Sequence, residues 1–175
     1  DVAMDGKTWR KLLVDYNERT DNPLALSAAY RLYKDRSYQV LVDAYGVYNV
    51  FILSAGWGLI SASFLTPAYD ITFSYSADDY KRRSRREQYD DLCMLSQDVT
   101  DDVVFFGGKD YLPLFCHLTQ NYRGQRHIFF NSARIPPEAA CCNLIRYPTS
   151  TRTNWHYSCI KDFVAGKIGI HGSFS

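Results

Sequence analysis

The stretch Phe51-Ile52-Leu53-Ser54-Ala55-Gly56-Trp57-Gly58-Leu59-Ile60, followed by Pro67-Ala68-Tyr69-Asp70, decides how this chain is read. An apolar run of β-forming residues stops abruptly at Ser54-Ala55-Gly56-Trp57-Gly58. That pattern predicts a buried strand entering a loop whose backbone approaches another group closely, because glycine has no Cβ to block the approach. In an open α/β sheet, ligands sit outside the carboxyl ends of the strands, so this loop is a candidate site.

Outward from it, strands and helices alternate. Lys11 to Tyr16 reads as a first strand, followed by a polar loop from Asn17 to Pro23. Residues 24–47 read as one or two helices, with Leu26, Ala29, Tyr30, Leu32 and Tyr33 at helical spacing and Gly46 as a helix end. Asn49 to Leu53 is the second strand, and Ala77 to Met94 reads as a helix. Val103 to Phe106 is the third strand, ending in Gly107-Gly108-Lys109-Asp110-Tyr111. Leu112 to Tyr122 follows as a helix, with Pro113 tolerated in its first turn. His127 to Phe130 is the fourth strand, ending in Asn131-Ser132-Ala133-Arg134, and Asn154 to Ala165 is a last helix closed by Gly166. The alternation predicts an α/β fold: three layers, with a mostly parallel central sheet flanked by helices.

The length of 175 residues suits one domain, 1–175, with a core of its own. Hydrophobic residues at 46% and aromatics at 15%, including 14 Tyr, exclude a disordered composition. No run of about 18 apolar residues is present, so no membrane span is expected. No signal peptide is legible. The five cysteines, Cys93, Cys116, Cys141, Cys142 and Cys159, lack metal-ligand spacing. They read as reduced thiols of a cytoplasmic protein, and no metal or cofactor is expected.

Net charge is only +1, but Lys81-Arg82-Arg83-Ser84-Arg85-Arg86 places five cations in six residues. This cluster is either a solvated face paired with the aspartates at 90, 91, 98, 101 and 102, or a face that contacts phosphates.

In the expected architecture four strand ends share one rim. They carry Asn17, Glu18 and Arg19; Ser54 to Gly58; Gly107 to Tyr111; and Asn131 to Arg134. Glycine-rich ends let backbone amides face a ligand, and the others add carboxylate, amide and guanidinium groups.

Leu53-Ser54-Ala55-Gly56-Trp57-Gly58-Leu59 with Pro67-Ala68-Tyr69-Asp70 resembles the Ser-Ala-x-x-Gly-Leu…Pro-Tyr-Asp signature of the YaaA-like families. Phe106-Gly107-Gly108-Lys109-Asp110-Tyr111 resembles their strand followed by Gly-x-x-Tyr, and Ala28-Tyr30-Leu32-Tyr33 falls at their first helix. The resemblance covers residues 11–135. The chain departs from the family in having Tyr16-Asn17-Glu18-Arg19 after the first expected strand and Ala68 between Pro67 and Tyr69. The families include the peroxide-stress protein YaaA, small phage and bacterial domains, and relatives of archaeosine synthase and of enzymes that modify deazaguanine in DNA. The resemblance implies a fold similar to uracil-DNA glycosylases, DNA as the partner, and a base flipped into a pocket at the strand ends.

The expected function is that of a DNA glycosylase acting on a modified base. By analogy, phage defence or DNA repair would be its setting. An oxocarbenium-like transition state needs a carboxylate near the anomeric carbon, and the departing base needs donors. Asp70 and Glu18, with Asn17, are the candidate catalytic residues. Ser54, Ala55, Gly56, Trp57, Tyr69, Gly107, Lys109, Asp110, Tyr111, Asn131 and His156 are the candidate base-binding residues. Arg19, Arg82, Arg83, Arg85, Arg86 and Arg134 are the candidate phosphate contacts. Each has a structural alternative: a helix cap for Asp70, a solvated loop for Glu18, core packing for Trp57, Tyr111 and His156. Two other functions stay open, modification of a deazapurine base without excision and a non-catalytic DNA-binding module.

Overall fold

The structure, a computed structural model, describes residues 6–84, 89–134, 137–151 and 153–170. It is mixed α/β. Among the described residues there are four α-helices and three small sheets rather than one central sheet.

Where a first strand was expected over Lys11 to Tyr16, the structure has helix α1 (Trp9–Asn17). The Thr8 side chain caps it by accepting from the Lys11 amide at 3.2 Å, and Lys11 pairs with Asp15 one turn on. A short apolar run such as Leu12-Leu13-Val14 is ambiguous between helix and strand, and the cap decides it. Leu13 is buried against Val50, Ile52 and Ile60. Asn17, Glu18 and Arg19 therefore lie at a helix end, and the expected rim loses one of its four strand ends.

Residues 24–47 contain one α-helix, α2 (Ser37–Tyr45), closed by Gly46 at φ +82°, and a single 3-10 turn at Ala29–Arg31. Ahead of it, β1 (Ser27–Ala28) pairs antiparallel with β4 (Leu65–Thr66), and the Ala29 and Tyr30 amides donate to Phe64 and Ala62 carbonyls. Those contacts with a distant segment take backbone groups that a longer helix would have used.

Strands β2 (Phe51–Ser54) and β3 (Gly58–Ser61) form an antiparallel hairpin, and β5 (Leu92–Cys93) adds parallel to β3. The expected helix over Ala77 to Met94 is absent from its described part. That part holds a single 3-10 turn at Asp79–Lys81, then extended chain at Arg82 and the strand β5. Edge pairing of Leu92 and Cys93 with β3 is incompatible with a helix there.

Strands β6 (Val103–Phe106), β7 (Arg126–Phe130) and β8 (Asn143–Arg146) form a parallel sheet in that order. Helix α3 (Leu112–Leu118) covers one face, where Phe115 and Cys116 pack on Phe105 and Ile128. Helix α4 (Trp155–Val164) covers the other, where Trp155 and Cys159 pack on Phe129. Ile128 and Phe129 are 0% and 1% exposed, so successive residues of β7 are buried on opposite faces. Each such side chain contributes about 1.5–3 kcal/mol of burial. Ala55, after β2, packs with Phe73, Leu114 and Tyr111, which sets the end of β2 beside the end of β6.

Candidate functional site

The turn Ala55-Gly56-Trp57 is held at two of its amides and all three of its carbonyls. The Ser54 hydroxyl oxygen accepts from the Gly56 and Trp57 amides at 3.1 and 3.0 Å. Three successive carbonyls are captured from outside. Arg83 Nη1 donates to Ala55 at 2.9 Å, Arg10 Nη2 to Gly56 at 2.5 Å, and the Leu92 amide to Trp57 at 2.8 Å. Arg83 is also paired in two-pronged fashion with Asp91, at 2.8 and 2.6 Å, with both side chains under 10% exposed. Both guanidinium groups lie over the Tyr89 ring, Arg83 at 3.9 Å and Arg10 at 5.1 Å from its centroid.

Two expectations are corrected here. Arg83 is not a phosphate contact: it is buried and its charge is spent on Asp91 and on the turn. Gly56 and Gly58 do not open the backbone to a ligand either. Gly58 has φ +94°, and a Cβ there would stand 2.3 Å from the Leu92 carbonyl oxygen. A Cβ on Gly56 would stand 3.3 Å from the Tyr69 ring. The close approaches are made by the chain itself.

On this turn sits a cluster of phenols. Tyr69 lies against Gly56 and edge-on to Trp57, with ring centroids 6.0 Å apart. Its hydroxyl is 2.8 Å from that of Tyr33. Tyr33 stacks on Tyr38 at 4.4 Å, and Tyr38 meets the Tyr157 ring edge-on with centroids 6.2 Å apart. Tyr111, at the start of α3, places its hydroxyl 3.3 Å from Thr72 and sits edge-on to Phe73 with ring centroids 5.1 Å apart. Burial raises the pKa of Tyr33, Tyr38, Tyr69 and Tyr157 above the ordinary phenol value. The four stay protonated and can donate hydrogen bonds at any physiological pH. The expected Ser54, Ala55, Gly56, Trp57, Tyr69 and Tyr111 are thus brought together. Tyr33, Tyr38 and Tyr157 are additions. Their only advance signal was the high tyrosine count, since Tyr33 otherwise read as a core position of a helix.

The candidate carboxylates are exposed. Asp70 is 74% exposed and pairs with Lys81 at 2.7 Å, which raises the Lys81 pKa. Glu18 is an exposed C-cap of α1. The Asn17 side chain is committed to backbone: it donates to Leu13 and Leu65 carbonyls at 2.8 and 2.9 Å and accepts from the Leu65 amide at 2.6 Å. That double clasp ties α1 to β4 and occupies both N–H donors of the amide.

Gly107, Lys109 and Asn131 do meet, lining a cavity with Leu112, Phe130, Ser132 and Trp155. Its volume of about 10 Å³ is on the scale of one water and far below a base. Gly107 is needed there because a Cβ would strike the Phe105 ring at 2.4 Å. Asn131 Nδ2 donates to the Thr151 carbonyl at 3.0 Å, and Asp110 is half-buried beside this rim. His156 opens α4 with its ring 4.2 Å from that of Tyr157. Its Nδ1 is buried with no hydrogen-bond partner among the described residues. Burial lowers its pKa, against an opposing pull from Asp35, and so favours the neutral imidazole.

Of the expected phosphate contacts, Arg19 is paired with Asp21 and Arg82 with Asp79, at 2.9 and 2.7 Å, and Arg134 is exposed. Arg85 and Arg86 lie outside the described residues. Lys81 and Arg82 lie over the rings of Tyr80 and Tyr75, which are 78% and 74% exposed. Among the described residues no group of three or more His, Cys, Asp or Glu is placed to hold a metal ion, and no helix is long and apolar enough to cross a membrane.

Comparison with protein-family models, curated proteins and solved structures finds no match to this chain.

Proposed function

We propose that the protein binds a base flipped out of DNA at the Ser54–Tyr69–Tyr111 face and hydrolyses its N-glycosidic bond. The observation that carries this reading is the cluster of five tyrosines and Ser54 gathered at the end of β2, beside the end of β6. It offers neutral hydrogen-bond donors next to aromatic surface, which is the chemistry that holds an extruded base. The fold in this reading is the three-layer, uracil-DNA-glycosylase-like arrangement implied by the YaaA-like signature. A parallel sheet covered by a helix on each face supports it. Asp70, adjacent in sequence to Tyr69, is the carboxylate that stabilises the oxocarbenium-like transition state or activates water. DNA as partner and a cytoplasmic setting belong to the same proposal.

The test is incubation with bacterial DNA and with phage DNA carrying modified cytosines and guanines. Released base is read by mass spectrometry and abasic sites by alkaline cleavage. Wild-type protein releases a base; Asp70→Asn binds the same DNA and releases none. DNA binding without release by the wild type overturns the hydrolase reading. A non-catalytic DNA-binding module is the second reading, and the Lys81–Asp70 ion pair favours it, because that pair neutralises the proposed carboxylate.

A further inference from the structure

We propose that the carboxyl rim of the β6–β7–β8 sheet is a phosphate seat. One phosphate oxygen enters the cavity beside Lys109, and the rest of the group lies between Lys109 and Arg146. The seat goes beyond the hydrolase reading and does not depend on base release.

Parallel pairing brings its parts together. The register sets Phe130 level with Arg146, and the Tyr147 amide donates to the Phe130 carbonyl at 2.8 Å. The Phe106–Phe129 pair sets Gly107 level with Phe130. Three strands therefore end side by side, and ligands of open α/β sheets sit outside such ends. From the end of β8 the Arg146 side chain lies over the Phe130 ring, 5.1 Å from its centroid, and its Nη2 donates to the Ser132 carbonyl at 3.3 Å. Phe130 and Ser132 are walls of the cavity that Lys109 and Asn131 also line, so both cations border it.

The charge at this rim is unbalanced. Residues 107–110, 130–134 and 146–151 carry Lys109, Arg134 and Arg146 against one carboxylate, Asp110. Among the described residues neither Lys109 nor Arg146 forms an ion pair with a carboxylate. The run at 81–83 is the opposite case, since Lys81, Arg82 and Arg83 are each paired with an aspartate. The Ser132 carbonyl takes one guanidinium N–H of Arg146 and leaves others for an anion. The Asn131 amide gives one N–H to the Thr151 carbonyl at 3.0 Å and has a second.

Size selects the ligand. At about 10 Å³ the cavity holds one water-sized atom, so it excludes a base and admits a single oxygen. Leu112, Phe130 and Trp155 are its buried apolar walls, and the exposed Lys109 marks its solvent side. A phosphate can place one oxygen inside and turn others to Lys109 and Arg146, in charge-assisted hydrogen bonds. A carboxylate has too few oxygens to meet all three positions. The phosphate comes either as a free ion or from the backbone of DNA.

Two arms of one experiment separate these sources. The first titrates inorganic phosphate into isotope-labelled protein, with acetate at equal ionic strength as the control, and follows the amide resonances of Gly107, Gly108 and Ser132. The second measures binding of a labelled DNA oligonucleotide across a range of salt. Each compares wild type with Lys109→Gln, Arg146→Gln and, as a distant exposed cation, Lys167→Gln. Circular dichroism and thermal melting check folding, and Lys109 is exposed, so its variant keeps the test open if Arg146→Gln unfolds. Saturable shifts with phosphate and none with acetate, weakened about tenfold or more by Lys109→Gln and less than about twofold by Lys167→Gln, establish a seat for the free ion. Unmoved amides, with DNA binding weakened by the same factor in Lys109→Gln and its salt slope reduced by about one, establish a seat for the DNA backbone. No binding in either arm, equal effects of Lys109→Gln and Lys167→Gln, or acetate acting as well as phosphate overturns the seat. Base release is assayed separately: binding at this rim without release overturns the hydrolase reading and upholds the seat.

Discussion

Arg82 and Arg83 are neighbours in sequence and opposites in physics. Arg82 is exposed, lies over the exposed Tyr75 ring, and pairs with an aspartate that is 90% exposed. Arg83 is buried, pairs with a buried aspartate, and donates to the carbonyl of Ala55, 28 residues away. Water screens the first pair and allows it little net energy. The second pair is shielded from water, so its loss leaves a buried charge uncompensated. An unbroken run of cations therefore contains both a surface that can meet an anion and a structural bolt for the turn beneath the candidate site.

The comparison breaks most readily at the bolt. Arg83→Met should destabilise the fold by about 3–5 kcal/mol, because Asp91 is left buried without its partner. Replacing both, Arg83→Met with Asp91→Leu, should recover much of that loss. Urea or thermal unfolding of the three variants checks it, and a single variant as stable as the wild type would refute the burial of the pair.

The next largest effect is expected at the turn that Arg83 grips. Gly58→Ala forces a side chain into φ +94° and sets a Cβ against the Leu92 carbonyl. The backbone conformation alone costs about 1–3 kcal/mol, and the clash adds to it. The loss should appear in the melting temperature and, through displacement of Trp57, in tryptophan fluorescence.

His156 sharpens the comparison on the buried side with a pH dependence. Its pKa in the folded chain is lowered by burial from the ordinary value of 6.5. A lowered folded pKa means that the unfolded chain binds the proton more readily. The contribution of His156 is complete above pH 6.5 and declines as pH falls below it, until the folded-state pKa is passed. Melting temperature measured from pH 8 downward should therefore drop more steeply for wild type than for His156→Phe. Parallel curves would sink this account.

The smallest stability effect belongs to the exposed arginine. Arg82→Ala should leave stability within about 0.5 kcal/mol of wild type. If that surface meets phosphates, the same change should weaken DNA binding and reduce its salt slope by about one. Unchanged affinity would make Arg82 a solvated partner of Asp79 and nothing more.

Several elements were legible in the chain itself. Val103 to Phe106 and His127 to Phe130 read as strands because such short apolar runs of β-branched and aromatic residues suit a sheet buried on both faces. The α3 start at Leu112-Pro113 and the ends of α2 and α4 at Gly46 and Gly166 were legible from backbone constraints of single residues. The stretch Asn143-Leu144-Ile145-Arg146 escaped notice because its apolar centre is only a pair of residues, and pairing with β7 makes it a strand.

What the sequence by itself determined is therefore local: which short runs suit a buried strand, where proline and glycine start and stop a helix, and that Ser54 to Gly58 is a tight and constrained turn. The tertiary structure decided the rest. Leu12-Leu13-Val14 settled as one buried helix face because Leu13 meets Val50, Ile52 and Ile60 from distant parts of the chain. Arg83 became structural because it meets Asp91 and Ala55 in the interior. Tyr33 and Tyr69 came within hydrogen-bond distance although 36 residues separate them in the chain. The physical reason is common to all three. Periodicity, propensity and capping act over a few residues and leave a mark in the sequence. Burial of a charge or a phenol depends on which distant groups arrive beside it, and that is set only when the chain has closed on itself.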